Sequence, residues 1–188
     1  RSKNTIREII QKSLEYLHFI RQLPYLSLSP FPNGKKSIFN FRIDTDFASE
    51  EEINSLYQIC LNHNIPATWF IETKSARDRM KQFGLMKNQE ISLHCYHHKV
   101  SNNFSFNNSN IKMGCEILNK AKIPFCGYAA PFGAWNKNLA KAIEKAKFLY
   151  SSEFTLDYDN LPFFPYLGNR FSSVLQLPIH PISTMVLR

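Results

Sequence analysis

One feature constrains this chain more than any other. From Ser37 almost to the end, short β-branched and aromatic stretches alternate with segments of helical spacing. SIFNFRIDTD reads as a first strand, ATWFIE as a second and EISLH as a third. PFCGYAAP reads as a fourth strand running into a loop, FLYSS as a fifth and SVLQLPIH as the last. Between the first two, EEINSLYQICLNH places Ile53, Leu56, Tyr57, Cys60 and Leu61 on one side of a helix, and Ser49 with Glu52 completes a capping box at its start. TKSARDRMKQFG closed by Gly84, IKMGCEILNKA and residues 136–147 supply further helices. The polar run 101–110 (SNNFSFNNSN) and the Pro-, Asp- and Asn-rich stretch 154–170 read as loops. Strands separated by helices predict a parallel sheet or barrel with the helices outside, and such folds bind ligands beyond the carboxyl ends of their strands.

Length sharpens this. Of 188 residues, the first 36 read as an appendage. Ile6, Ile9, Ile10, Leu14, Leu17 and Ile20 predict a helix over about 3–22, and Pro24, Pro30, Pro32 and Gly34 then break the chain. We expect residues 1–36 to be a helix and linker and 37–188 the folded domain, too short for a regular eightfold barrel of ~250 residues. The helix either packs back on the domain or leads in from a preceding one. The chain opens at Arg1 without a signal-peptide pattern, so we expect a domain cut from something longer. No apolar run reaches the ~18 residues of a membrane span. The formal charge of +8 permits an acidic partner, but the basic residues are scattered and no aromatic-interleaved basic motif points to nucleic acid. None of Cys60, Cys95, Cys115 and Cys126 forms a CxxC pair, which removes zinc-ribbon and thioredoxin readings and favours a reducing compartment.

The informative polar residues fall at strand ends. Asp44 and Asp46 end the first strand, and alternation puts them on the same side as Arg42. Two carboxylates so close repel unless a cation is near; Arg42 supplies part of that and a metal the rest, or else one carboxylate caps the next helix and the other is solvated. His94 and His98 end the third strand four residues apart, a spacing that puts both rings on one face of a helical turn, with His97 a competing ligand. Two imidazoles and a carboxylate suit zinc or a similar divalent ion. His180 ends the last strand between Pro178 and Pro181, as a core residue or a general acid. The turn at Pro131 and Gly133 is placed to offer the Phe132 N–H to an oxyanion. Trp69, Tyr128 and Trp135 are core residues or sugar-stacking walls, core being preferred for Trp69.

In this order the motifs resemble the polysaccharide deacetylases of the NodB-homology type, a carbohydrate esterase family. FRIDTD looks like the first motif, HCYHH the second, YAAPFG the third and LQLPIH the terminal one, over about residues 38–182. The resemblance implies a distorted parallel (β/α) barrel of about six or seven strands, here with an extra N-terminal helix. It implies a hydrolase removing acetyl groups from an acetylated glycan, with Asp44 as base. Asp46, His94 and His98 would hold a divalent metal, zinc first, with cobalt, nickel or manganese as alternatives. His180 would be the acid toward the leaving amine, and the Phe132 N–H would stabilise the oxyanion. Its expected setting is a bacterial cytoplasm or membrane-associated glycan assembly. Two departures stand out. Ala129 replaces the arginine that positions the base, a task Arg42 is placed to take over. The acid that tunes the terminal histidine is open between Glu153, Asp157 and Asp159.

Overall fold

The structure, a computed structural model, describes residues 2–27, 31–35, 37–154 and 161–179. Six strands form one sheet in the spatial order of the sequence: β1 (Phe41–Asp44), β2 (Ala67–Glu72), β3 (Glu90–Cys95), β4 (Gly127–Tyr128), β5 (Tyr150–Ser151) and β6 (Leu175–Gln176). Every neighbouring pair is parallel. Successive right-handed crossovers that always step the same way keep the helices on one side and curl the sheet. The result is a half-barrel, with six strands at the low end of the expected count and no β1–β6 pair among the described residues.

The helices are α1 (Ser2–Ile20), α2 (Glu50–Asn62), α3 (Met80–Gly84), α4 (Phe104–Lys120) and α5 (Lys137–Lys145). The capping box of α2 is present: Ser49 Oγ accepts from Glu52 N at 3.2 Å, and the Glu52 carboxylate accepts from Ser49 N at 2.7 Å. β2 is buried along its whole length, as a central parallel strand must be. The core gathers Trp69, Ile71, Leu93, Ile111, Leu118 and Ile143. Trp69 lies in it as expected, its indole N–H donating to Gln89 Oε1 at 2.9 Å.

Three readings change. Residues 104–110 are helix, not loop: Asn103 caps α4 by accepting from Phe106 N at 3.0 Å. The helix period Asn107, Ile111, Gly114, Leu118 runs straight through the polar run, with all four residues buried. The segment 73–84 is a turn and a short α3 rather than one helix. Tyr128 is buried core, tilted on Phe148 with ring centroids 5.6 Å apart, and offers no wall to a ligand. All four cysteines are free.

Gly127 marks the tightest crossing. A Cβ there would overlap the ring of Tyr150, whose hydroxyl donates to Glu90 Oε1 at 2.7 Å inside the barrel. Gly127→Ala should therefore cost about 1–3 kcal/mol in denaturant unfolding, and the added substitution Tyr150→Leu should recover part of that loss.

Candidate metal centre and catalytic rim

The carboxyl ends of β1 and β3 converge. Asp44 is the last residue of β1, and its carboxylate is gripped by Arg42 on the same strand: Nε to Oδ1 at 2.7 Å and the second guanidinium arm to Oδ2 at 2.5 Å. The remaining arm of Arg42 donates to the Ser152 carbonyl at 2.7 Å beyond β5, and the guanidinium lies 5.2 Å from the Phe70 ring centroid. A two-point fork of this kind fixes orientation as well as charge. Alternation along a strand thus puts Arg42 and Asp44 together, as expected.

Asp46 parts from them. Its backbone takes φ 37°, in the left-handed region that Asp tolerates better than most residues, so strand alternation no longer governs its side chain. Oδ1 lies 3.1 Å from His94 Nε2 and 3.1 Å from His98 Nε2, and the two imidazole nitrogens are 3.1 Å apart. The loop after β2 braces this turn: Ser75 Oγ donates to the Asp46 carbonyl, and an Arg79 arm donates to the Ala48 carbonyl at 2.7 Å. Without a cation, hydrogen bonding from a doubly protonated His94 would hold Asp46 below the usual carboxylate range, against the cost of partial burial.

The imidazoles meet by a different route from the expected helical turn. His94 stands in β3, and His98 follows in a bend. Asn110 of α4 shapes that bend, accepting from His97 N at 2.6 Å and donating to the His97 and Lys99 carbonyls. His97 is exposed and outside the cluster. The asparagines in the polar run are therefore supports of the site that composition concealed; their helical register with Ile111 and Leu118 was the available signal.

The protonation pattern tests whether a cation fits. His94 Nδ1 lies 2.7 Å from the Ala129 carbonyl, which only accepts, so Nδ1 carries a proton. In the neutral ring Nε2 is then a bare lone pair, yet it faces a carboxylate oxygen. Three donor atoms about 3 Å apart, two nitrogens and one oxygen, suit a divalent ion at roughly 2 Å from each. Asp46, His94 and His98 form the single such group among the described residues.

Around it stand exposed rings. Phe47 and Phe132 lie edge-on to His98, at centroid distances of 5.5 and 4.8 Å. Phe132 sits in the turn Pro131–Gly133 at φ 60°. Trp135 is half-buried, with its indole N–H shielded from solvent and unpartnered. His180, Asp157 and Asp159 lie outside the described residues. Glu153, the third candidate for the tuning acid, is buried just past β5. Its carboxylate accepts from Ala130 N at 3.1 Å and Gln176 Nε2 at 2.6 Å, and its carbonyl accepts from Ile179 N at 3.2 Å. Nothing in the linear sequence flagged Gln176.

This curled parallel sheet with acids and imidazoles at its carboxyl rim has the fold of the polysaccharide deacetylases and family 4 carbohydrate esterases. A Mycobacterium smegmatis protein assigned as a polysaccharide deacetylase aligns with a TM-score of 0.66 at 21% identity, over 84% of this chain and 63% of its own. The Streptococcus pyogenes deacetylase PplD, solved with acetate, aligns at 0.57 and 16% identity, over 79% of this chain and 67% of its own. A family 4 pseudoenzyme from Bacillus anthracis aligns at 0.56 and 18%, over 67% of this chain and 49% of its own. The chain thus spans 63% of the first structure and about half of the last. No protein-family model matches it, and no curated protein does.

Burial pushes the Glu153 carboxyl up from 4.5 to about 7, opposed by Gln176 and Arg42. A raised acid favours folding while protonated, so its contribution is full below the unfolded value and is lost as pH rises through about 7, on the order of 3 kcal/mol in all. Glu153→Gln cannot ionise. Thermal melts across pH should show the variant gaining on the parent chain from about pH 5 to 7.5; parallel curves would refute the assignment.

Proposed function

We propose that this chain is a metal-dependent deacetylase that hydrolyses an acetyl group, N-acetyl first, from a sugar within a glycan. The observation that carries the reading is the meeting of Asp46, His94 and His98 around one point, with Asp44 clamped by Arg42 two residues away in the chain. Asp46, His94 and His98 would hold the divalent ion, zinc or one of its neighbours. Bound there, such an ion supplies Lewis-acid polarisation of the acetyl carbonyl and eases ionisation of a water.

The chain's own groups do the rest. Asp44, part-exposed and oriented by Arg42, takes a proton from the attacking water. The Phe132 N–H, on a turn with positive φ beside His98, donates to the carbonyl oxygen as it gains charge. His180 gives a proton to the sugar nitrogen as the C–N bond breaks, so acetate and a free amine leave. Glu153, whose backbone carbonyl holds Ile179 N beside the terminal motif and whose carboxylate is buried next to it, takes the part of the acid that tunes that histidine. Phe47 and Phe132 offer flat apolar faces to a pyranose ring. Arg42 does from within β1 what the related motif does with an arginine at the position of Ala129.

The test is release of acetate from N-acetylglucosamine oligomers with added zinc or cobalt. A chain that binds metal and cleaves no glycan or ester would be a non-catalytic relative, and the proposal would fail. Asp46→Ala should lose the metal by elemental analysis. Asp44→Asn should keep it and lose roughly 10²- to 10⁴-fold in kcat; full activity would remove Asp44 as base.

Arg42 is a positioning residue, and its signature is separate. Arg42→Ala should retain metal stoichiometry and KM while kcat falls by ~10- to 100-fold. Arg42→Lys, which keeps charge but not the fork, should recover only part of it.

A further inference from the structure

Among the described side chains of α1, from Thr5 to Ile20, none is buried and only His18 is half-buried. Ile6, Ile9, Ile10, Leu14, Leu17 and Ile20 are all exposed, as are Tyr16 and Phe19. At ~100° per residue the aliphatic side chains fall within an arc of roughly 140°, a broad apolar stripe with no partner among the described residues. Of the two expected courses for α1, packing back on the domain is not seen among the described residues. Exposed apolar surface of this extent marks an interaction site.

Charge identifies the occupant. Arg7 borders one edge of the stripe and Lys12 the other, while Glu8 and Glu15 sit opposite it, Glu15 paired with Gln11 at 3.0 Å. Tyr16 and Phe19 lie toward the Lys12 edge. A second copy of α1 would bring these cationic borders against each other, and the heptad seam through Ile6, Ile10, Leu17 and Ile20 is interrupted by Ser13. An anionic lipid surface satisfies both features: the stripe enters the acyl boundary and the cations meet the headgroups. No described helix is long and apolar enough to cross a membrane, so α1 would lie along the surface rather than span it. We propose that α1 is an amphipathic anchor that docks the chain on anionic membranes. This is independent of the catalytic reading.

The test is co-sedimentation of the whole chain with vesicles of phosphatidylglycerol and phosphatidylcholine in equal parts, and with phosphatidylcholine alone. The chain should pellet with the first, at least ~5-fold more than with the second, and be released by high salt. Ile10→Glu/Leu17→Glu should abolish pelleting. Arg7→Gln/Lys12→Gln, which leaves the stripe intact, should remove the preference for anionic vesicles. All four positions are exposed, so acetate release in solution should not change. Failure to pellet with either vesicle, or unaltered pelleting of both variants, would overturn the proposal. So would a dimer in light scattering that Ile10→Glu/Leu17→Glu dissolves without any vesicle binding.

Discussion

The hydrogen bond between His94 Nδ1 and the Ala129 carbonyl organises this site. It joins β3 to the segment after β4, where the ladder continues through Ala129 N to the Leu93 carbonyl. By fixing a proton on Nδ1, it turns the other face of the ring into a lone pair aimed at Asp46 and His98. This contact comes from the backbone of Ala129, so it does not depend on the side chain at that position.

Much of the fold was legible because it rests on period and punctuation. Apolar alternation located the six strands, and Ser49 with Glu52 located the start of α2. The strands are shorter than the sequence suggested, β4 to β6 pairing over two residues each, since ladder length depends on curvature that no local pattern records. The polar run 101–110 misled for an instructive reason. Asn107 and Asn110 are polar and also buried, their amides satisfying the backbone of 97–101. Composition equates polarity with exposure, and a buried amide that mimics a backbone partner breaks that equation.

The site was legible in its identities and less so in its geometry. Arg42 with Asp44 is a grouping the residues suggested, and Asp46 with the two histidines is the one the resemblance implied. The separation of Asp44 from Asp46 was not legible, because it depends on one left-handed residue. Nor was the support from Glu153 and Gln176, which meet across β5 and β6 at a separation of 23 residues. A buried acid that needs an amide from another strand leaves no local trace.

Placing Arg42 and Asp44 on one strand has a further consequence. The carboxylate and its clamp ride on the same rigid element, so no movement of the 129–135 turn alters their mutual alignment. That turn, AAPFGAW, carries no charged side chain of its own. Its side chains can change in shape while the Asp44 carboxylate stays aligned with Arg42.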